Sequence, residues 1–217
     1  MRTFGFPEFL FILEAAKWTL ALSAIAFVGG AILGLAIALM RTSESTWARG
    51  ISTTFIQIFQ GTPLLLQLFL VFFGAPVLGL DINPWVAAGV ALILNSAAFL
   101  GEIWRGCIEA IPRGQWEAAE ALSLKYSSRM RDVVLPQALK IALAPTVGYV
   151  VQIIKGTSLA AIIGFVEVTR AGQIVNNATF QPLIVFSVVA AIYFAICWPL
   201  SLLAARMERR RARALAR

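Results

Sequence analysis

Residues 114–136 read GQWEAAEALSLKYSSRMRDVVLP, a polar and charged island with long apolar runs on both sides. On a helix, at about 100° per residue, Ala118, Ala119, Leu122 and Tyr126 share one face, and Glu117, Glu120 and Leu124 share the opposite one. The first face is narrow and rich in alanine, which suits close approach to another surface rather than deep burial. Ser127-Ser128 interrupts the pattern and predicts a cap for a second short helix from Arg129 to Leu135. Pro136 predicts a turn in the chain and suits the first position of the next helix. The island therefore reads as two short helices joined by a turn. A mere connector needs about 2–8 residues, so a stretch this long with two faces reads as a docking surface. An interfacial helix lying on lipid is the other option.

The rest of the chain decides where that island sits. Of 217 residues, 59% are hydrophobic and 13% charged, with a mean hydropathy of +0.82, whereas soluble domains carry roughly 25% charged residues. Buried helices of soluble proteins rarely sustain ~20 residues without a charge. Trp18 to Met40 is one such run, about 35 Å long as a helix and enough to span a bilayer. The hydropathy pattern predicts an all-α membrane protein with five spans at about 18–40, 51–74, 82–104, 141–166 and 183–205, in a single domain covering 1–217. The island then becomes a loop of about 107–138. Within the spans, Gly30-x-x-x-Gly34 permits close helix approach. Gly61-Thr62-Pro63 predicts a break in the second span, and Lys155-Gly156-Thr157-Ser158 one in the fourth.

Charge orients the bundle and removes several functions. Fourteen of the eighteen basic residues, including Arg41, Arg49, the island's cations and the tail RMERRRARALAR, fall on one side of a five-span arrangement. The positive-inside rule makes that side cytoplasmic, with the N-terminus outside and the C-terminus and island inside. The net charge of +7 is thus explained by topology, and nucleic acid is not expected as a partner. The N-terminus, interrupted by Glu8, Glu14 and Lys17, predicts no cleaved signal. The chain has no histidine, and Cys107 and Cys197 lack C-x-x-C spacing, so neither a metal site nor a redox motif is expected.

Polar groups inside spans are expensive and face a cavity or a neighbour. Gln57, Gln60, Thr62, Gln67, Asn95, Ser96, Gln152, Lys155, Thr157, Ser158 and Glu167 are the candidates. Hydrogen bonding between helices is the plainer account for each Gln or Ser. Lys155 with Glu167 reads equally well as a structural ion pair or as part of a site.

Further motifs accompany the island. FQGTPLLLQLFLVFFGAP begins at Phe59, GEIWRGCIEAIPRGQWEAAEAL at Gly101 and KGTSLAAIIGFVEVTRAGQ at Lys155. Together with Glu117-Ala118-Ala119, Val133 and Leu135-Pro136, they resemble the permease subunits of ABC importers, in particular the polar amino-acid family with its cytoplasmic EAA loop. The similarity covers nearly the whole chain. It implies a type I ABC importer permease fold in a bacterial inner membrane. It also implies a second permease chain, identical or sister, two ATPase subunits, and a periplasmic or lipid-anchored amino-acid-binding protein. Gly114, Glu117, Ala118, Ala119, Leu122, Ser123, Leu135 and Pro136 would couple to the ATPases. Gln60, Thr62, Asn95, Gln152, Lys155, Thr157, Ser158 and Glu167 would be substrate-path candidates, with Lys155 and Thr157 supplying donors and Glu167 the acceptor for an amino acid. The chain would be non-catalytic and hold no cofactor, ATP and Mg being bound by the partner ATPase. The absence of G-x-x-x-x-G-K-[ST] in it agrees.

Four positions depart from the family's pattern. Ser123 stands where Gly is usual, which predicts a more helical turn, and Gln60 stands where Arg is common. Cys107 replaces a usual Gly, and Gly156 a frequent Asp. A self-sufficient secondary transporter is the alternative, disfavoured by small size, the lack of an inverted repeat and the docking loop. An intramembrane enzyme finds no catalytic pair here.

Overall fold

The computed structural model describes residues 3–215, so Arg2 and Arg217 of the charge count lie outside the described residues. Among those residues the chain is helical, without strands. The first helix, α1, runs Phe6–Thr42, about 55 Å, and starts well before the uncharged run. Gly5 caps it, its N–H donating to Glu8 Oε2 at 3.0 Å, with Pro7 in the first turn. Helix α2 (Thr46–Gly61) and helix α3 (Leu64–Val77) meet at a bend of 101°. The Gly61-Thr62-Pro63 break is therefore real. Helix α4 covers Pro84–Glu109, capped by the Asn83 side chain.

Beyond α4, α5 (Arg113–Ala121) is short. From Tyr126 the chain is helical without a stop to Ile163: one turn of α6 (Tyr126–Ser128), a π-helical segment Arg129–Val134, α7 (Leu135–Gly156), and a 3-10 segment Thr157–Ile163. Helix α8 (Val168–Thr179) and the long α9 (Pro182–Leu215) complete the chain. By length and composition α1, α4, Tyr126–Ile163 and Pro182–Arg210 can each cross a membrane, which makes four spans, or five when the bent α2–α3 pair is counted as one broken span. Large apolar side chains stand exposed along α1 and α9, among them Val28, Ile32, Phe186 and Phe194, as a lipid-facing surface requires.

Helices α1 and α4 lie parallel and nearly touching. A Cβ on Gly30 would sit 2.5 Å from Ser96 Cβ, and one on Gly34 3.1 Å from the Ala97 carbonyl oxygen and the Gly101 nitrogen. The Gly30-x-x-x-Gly34 pair is thus a backbone-to-backbone seam. Around it Leu22, Ala26, Leu68, Ala88, Leu92 and Ile153 form a core shared by α1, α3, α4 and α7. Helix α7 runs antiparallel to α4, joined by Trp104 Nε1 donating to Thr146 Oγ1 at 2.9 Å. A second core at the Phe6 end packs Ile12 and Ala15 of α1 against Val168, Ala171 and Val175 of α8 and Val185 and Val189 of α9. Cys107 and Cys197 are buried, as small packing residues should be.

Three expectations about the island fail here. Pro136 does not turn the chain but lies in the first turn of α7, inside a continuous helical run. The π-helical segment just before it supplies the reason. Its wider turn accommodates the missing N–H and the ring that a proline brings to a regular helix. Ser127-Ser128 does not cap: the helix starts at Tyr126, after Lys125, with no side-chain cap. The loop consequently contracts from about 107–138 to the stretch between Glu109 and Tyr126.

Candidate functional site: a braced loop and two adjoining helix breaks

Helix α5 lies against the Thr42 end of α1. Its inward face is Trp116, which packs on a small core of Ala38, Ile108, Ile111, Met130 and Val134, and Ala119, three residues on, which is buried. Ala119 is 2% exposed and so turns inward rather than outward in this chain. Tyr126 is also turned inward, its hydroxyl donating to the Thr42 carbonyl at 2.8 Å. The open face carries Gly114, Glu117, Ala118 and Leu122, the last 75% exposed. The alanine face expected from the sequence therefore splits: Ala118 and Leu122 point out, Ala119 and Tyr126 in. Leu135 is half-buried and Pro136 exposed, a turn or more beyond α5.

The loop is fastened at several points. Glu120 Oε2 lies 3.6 Å from Arg129 Nη1, and Gln137 Nε2 donates to Gln115 Oε1 at 3.2 Å. At the neighbouring end of α4, Arg105 bridges Glu102, at 2.5 Å, and Glu109. Ser123 corrects the remaining loop expectation. It is not helical: its φ is 54°, in the left-handed region where glycine is favoured. Its N–H donates to the Glu120 carbonyl at 2.8 Å and closes the end of α5. The backbone keeps the glycine conformation although the residue is serine.

The second cluster sits where the α2–α3 break adjoins the change from α-helix to 3-10 helix after Gly156. Gln67, buried in α3, donates from Nε2 to the Phe59 carbonyl at 2.8 Å, to the Thr62 carbonyl at 3.0 Å and to Thr62 Oγ1 at 2.9 Å. These are the groups that the bend at Pro63 strips of helical partners, and one side chain re-satisfies them. Asn95 Nδ2 donates to Gln67 Oε1 at 3.1 Å, and Tyr149 reaches Asn95 Oδ1 at 3.5 Å. Asn95 thus bonds between helices. Gln60 is exposed and donates to the Ala98 carbonyl at 3.3 Å. A Cβ on Gly156 would meet Leu64 Cδ2 at 3.2 Å, which places the α7 break beside the α2–α3 break. Gln152 and Lys155 are exposed on α7 near this junction, and Thr62 is exposed opposite.

Two candidates are buried and bonded within the chain. Thr157 is fully buried and its hydroxyl donates back to the Ile154 carbonyl at 2.7 Å. Glu167 is also fully buried. It caps α8, accepting from the Thr169 and Arg170 N–H groups at 2.9 Å each, and it accepts from the Tyr193 hydroxyl at 2.5 Å. A carboxylate at a helix N-terminus meets both unsatisfied amides and the positive end of the dipole. Among the described residues no ion pair joins it to Lys155. Ser158 donates to the Lys155 carbonyl at 2.6 Å and is half-buried.

What the sequence reading missed are the tyrosines. Tyr126, Tyr149 and Tyr193 are the chain's three, and each ends a polar link between helices. A phenol inside an apolar run was the available signal, because its hydroxyl needs a partner when buried.

This architecture has relatives. Residues 19–213 match the model of the binding-protein-dependent transport system inner membrane component family. The glutamine transport system permease protein GlnP of Escherichia coli is 36% identical over 206 residues, covering 94% of each chain. The probable amino-acid ABC transporter permease protein YckA of Bacillus subtilis is 35% identical over 190 residues, covering 88% of this chain and 84% of that one. Among solved structures, an amino acid ABC transporter with histidines superposes with a TM-score of 0.87 at 32% identity, covering 96% of this chain and 100% of that one. The inward-facing MetNI methionine ABC transporter, at 18% identity, 95% and 99% coverage and a TM-score of 0.79, shares the fold. With a family match over almost its whole length and relatives above 30% identity, the chain belongs to the family of inner membrane components of binding-protein-dependent transport systems, as an ABC-importer permease.

Proposed function

We propose that this chain is the membrane-spanning subunit of an ATP-driven importer for polar amino acids. The observation that carries the reading is a helix, α5, with an open face of Gly114, Glu117, Ala118 and Leu122 and a back braced to the spans. Such a surface suits a partner that pushes. Two ATPase subunits, binding ATP and Mg, would dock on it, one per permease chain in a pair of identical or sister chains. Displacement of α5 passes to α1 through Tyr126 and Thr42, and to α7 through Gln115–Gln137 and Glu120–Arg129. The spans have two points at which to respond, the 101° bend at Gly61–Pro63 and the 3-10 segment after Gly156. Gln60, Thr62, Gln152 and Lys155, exposed where those points adjoin, line the path.

The amino-acid cargo rests on what the relatives GlnP and YckA are named for. The bacterial inner membrane, with the Phe6 end outside and the basic tail inside, rests on the charge distribution. An extracytoplasmic binding protein, periplasmic or lipid-anchored, would then deliver cargo at the Phe6 end. Purifying the chain with its ATPase, reconstituting both in vesicles with the binding protein and supplying a radiolabelled amino-acid mixture tests this. Uptake should require ATP, the ATPase and the binding protein. Uptake by the chain alone, driven by an ion gradient, would favour a secondary transporter and defeat the proposal.

A further inference from the structure

Among the described residues, Lys155 is the exposed charged side chain where α7 passes into its 3-10 segment, beside the α2–α3 break. Gly156 packs on Leu92, which puts this level about 12 Å along α4 from Pro84 and about 26 Å from Glu109, well inside the span. Its ammonium has no hydrogen-bond acceptor and no carboxylate within ion-pair distance among the described residues, and the side chain is exposed. A cation at such depth is costly and faces a polar cavity or a bundle interior rather than lipid. Its open neighbours Gln60, Thr62 and Gln152 are uncharged.

The nearby carboxylates cannot offset it. Both oxygens of Glu167 are engaged by α8 and Tyr193 in a fully buried setting. Glu102 is held by Arg105 at the far end of α4, and Asp81 lies in the connection between α3 and α4. The exposed polar level around Lys155 is therefore positive, and in a pair of identical chains it is doubly so.

We propose that Lys155 selects the cargo by charge: it attracts the α-carboxylate and excludes amino acids with cationic side chains, so the substrate class is neutral or acidic amino acids. This rests on the amino-acid importer reading above. A second cation held about 8 Å from Lys155, at an effective dielectric of about 20, is disfavoured roughly thirtyfold in binding.

The test uses the copurified permease–ATPase complex in nanodiscs, without the binding protein, so that only the permease's own selectivity is read. Retention of radiolabelled L-glutamine, L-glutamate and L-arginine is measured for the wild type, Lys155→Gln and Lys155→Glu. The wild type should hold arginine at least about thirtyfold more weakly than the better of the other two. Lys155→Gln should level the three, and Lys155→Glu should invert the order of glutamate and arginine. Arginine held by the wild type as well as glutamine overturns the proposal. So does an unchanged order in a Lys155→Glu complex that still hydrolyses ATP. Should that variant not assemble, the wild-type ranking decides. If the complex imports glutamine in vesicles but retains none of the probes, the selectivity site is refuted and the transport reading stands. If it imports no amino acid at all, the transport reading itself falls.

Discussion

Replacing Ser123 with glycine should stabilise the protein. At φ 54° the serine Cβ crowds its own backbone, which costs roughly 1–2 kcal/mol relative to a residue without a Cβ. Glycine gives back about 0.5–1 kcal/mol through the greater freedom of its unfolded chain. The net gain is therefore about 0–1.5 kcal/mol, centred near 0.75 kcal/mol. No contact of the serine hydroxyl needs subtracting, because Ser123 is exposed and the bond it makes, to the Glu120 carbonyl, comes from its backbone N–H. Near 217 residues each kcal/mol moves the unfolding midpoint by about 2–4 °C. Thermal unfolding of the detergent-purified chain should accordingly show a rise of about 1–4 °C for Ser123→Gly. Ser123→Ala should show no rise, since alanine keeps the Cβ, and Ser123→Val should fall below wild type because branching worsens the crowding. If alanine stabilises as much as glycine, or glycine destabilises, the strain argument is refuted.

Two further substitutions probe the packing. Gly34→Ala should lose about 1–3 kcal/mol, because its Cβ would meet backbone atoms of α4 at 3.1 Å, whereas Gly50→Ala, with nothing within 4 Å, should not be destabilised. Unfolding midpoints of the two variants measured side by side check this. Tyr126→Phe removes the bond to the Thr42 carbonyl and should cost about 1 kcal/mol. Because that bond ties the loop to α1, transport per ATP hydrolysed should also fall in this variant, which vesicle uptake and phosphate release measured together would report.

The apolar helices and the Gly61–Pro63 break were legible because they follow from composition. An uncharged run of membrane length has one cheap solution, and Pro63 removes a donor wherever it stands. The close seam of α1 on α4 was legible as a permission, in Gly30 and Gly34, without naming the partner helix. The orientation of α5 was not legible. Helical spacing puts Ala118 beside Ala119, and only the positions of Ile111, Met130 and Val134 decide which of the two turns inward. Pro136 misled because a local rule was applied without the preceding π-helical segment, which nothing in RMRDVV announces. Glu167 and Thr157 misled because a polar residue in an apolar region reads the same whether it meets a cavity, a helix end or its own carbonyl.

Coupling through the open face of α5 is the central claim, and Glu117 is the exposed charged group on that face. Reversing it should spoil the docked surface without touching the fold, since Trp116 and Ala119 turn inward on the other side of α5. The decisive measurement is the ratio of amino acid imported to ATP hydrolysed by Glu117→Lys complexes in vesicles with the binding protein. The account predicts that the ratio falls at least about tenfold, the equivalent of 1.4 kcal/mol, while the permease keeps its wild-type unfolding midpoint. A wild-type ratio in the charge-reversed complex would contradict it.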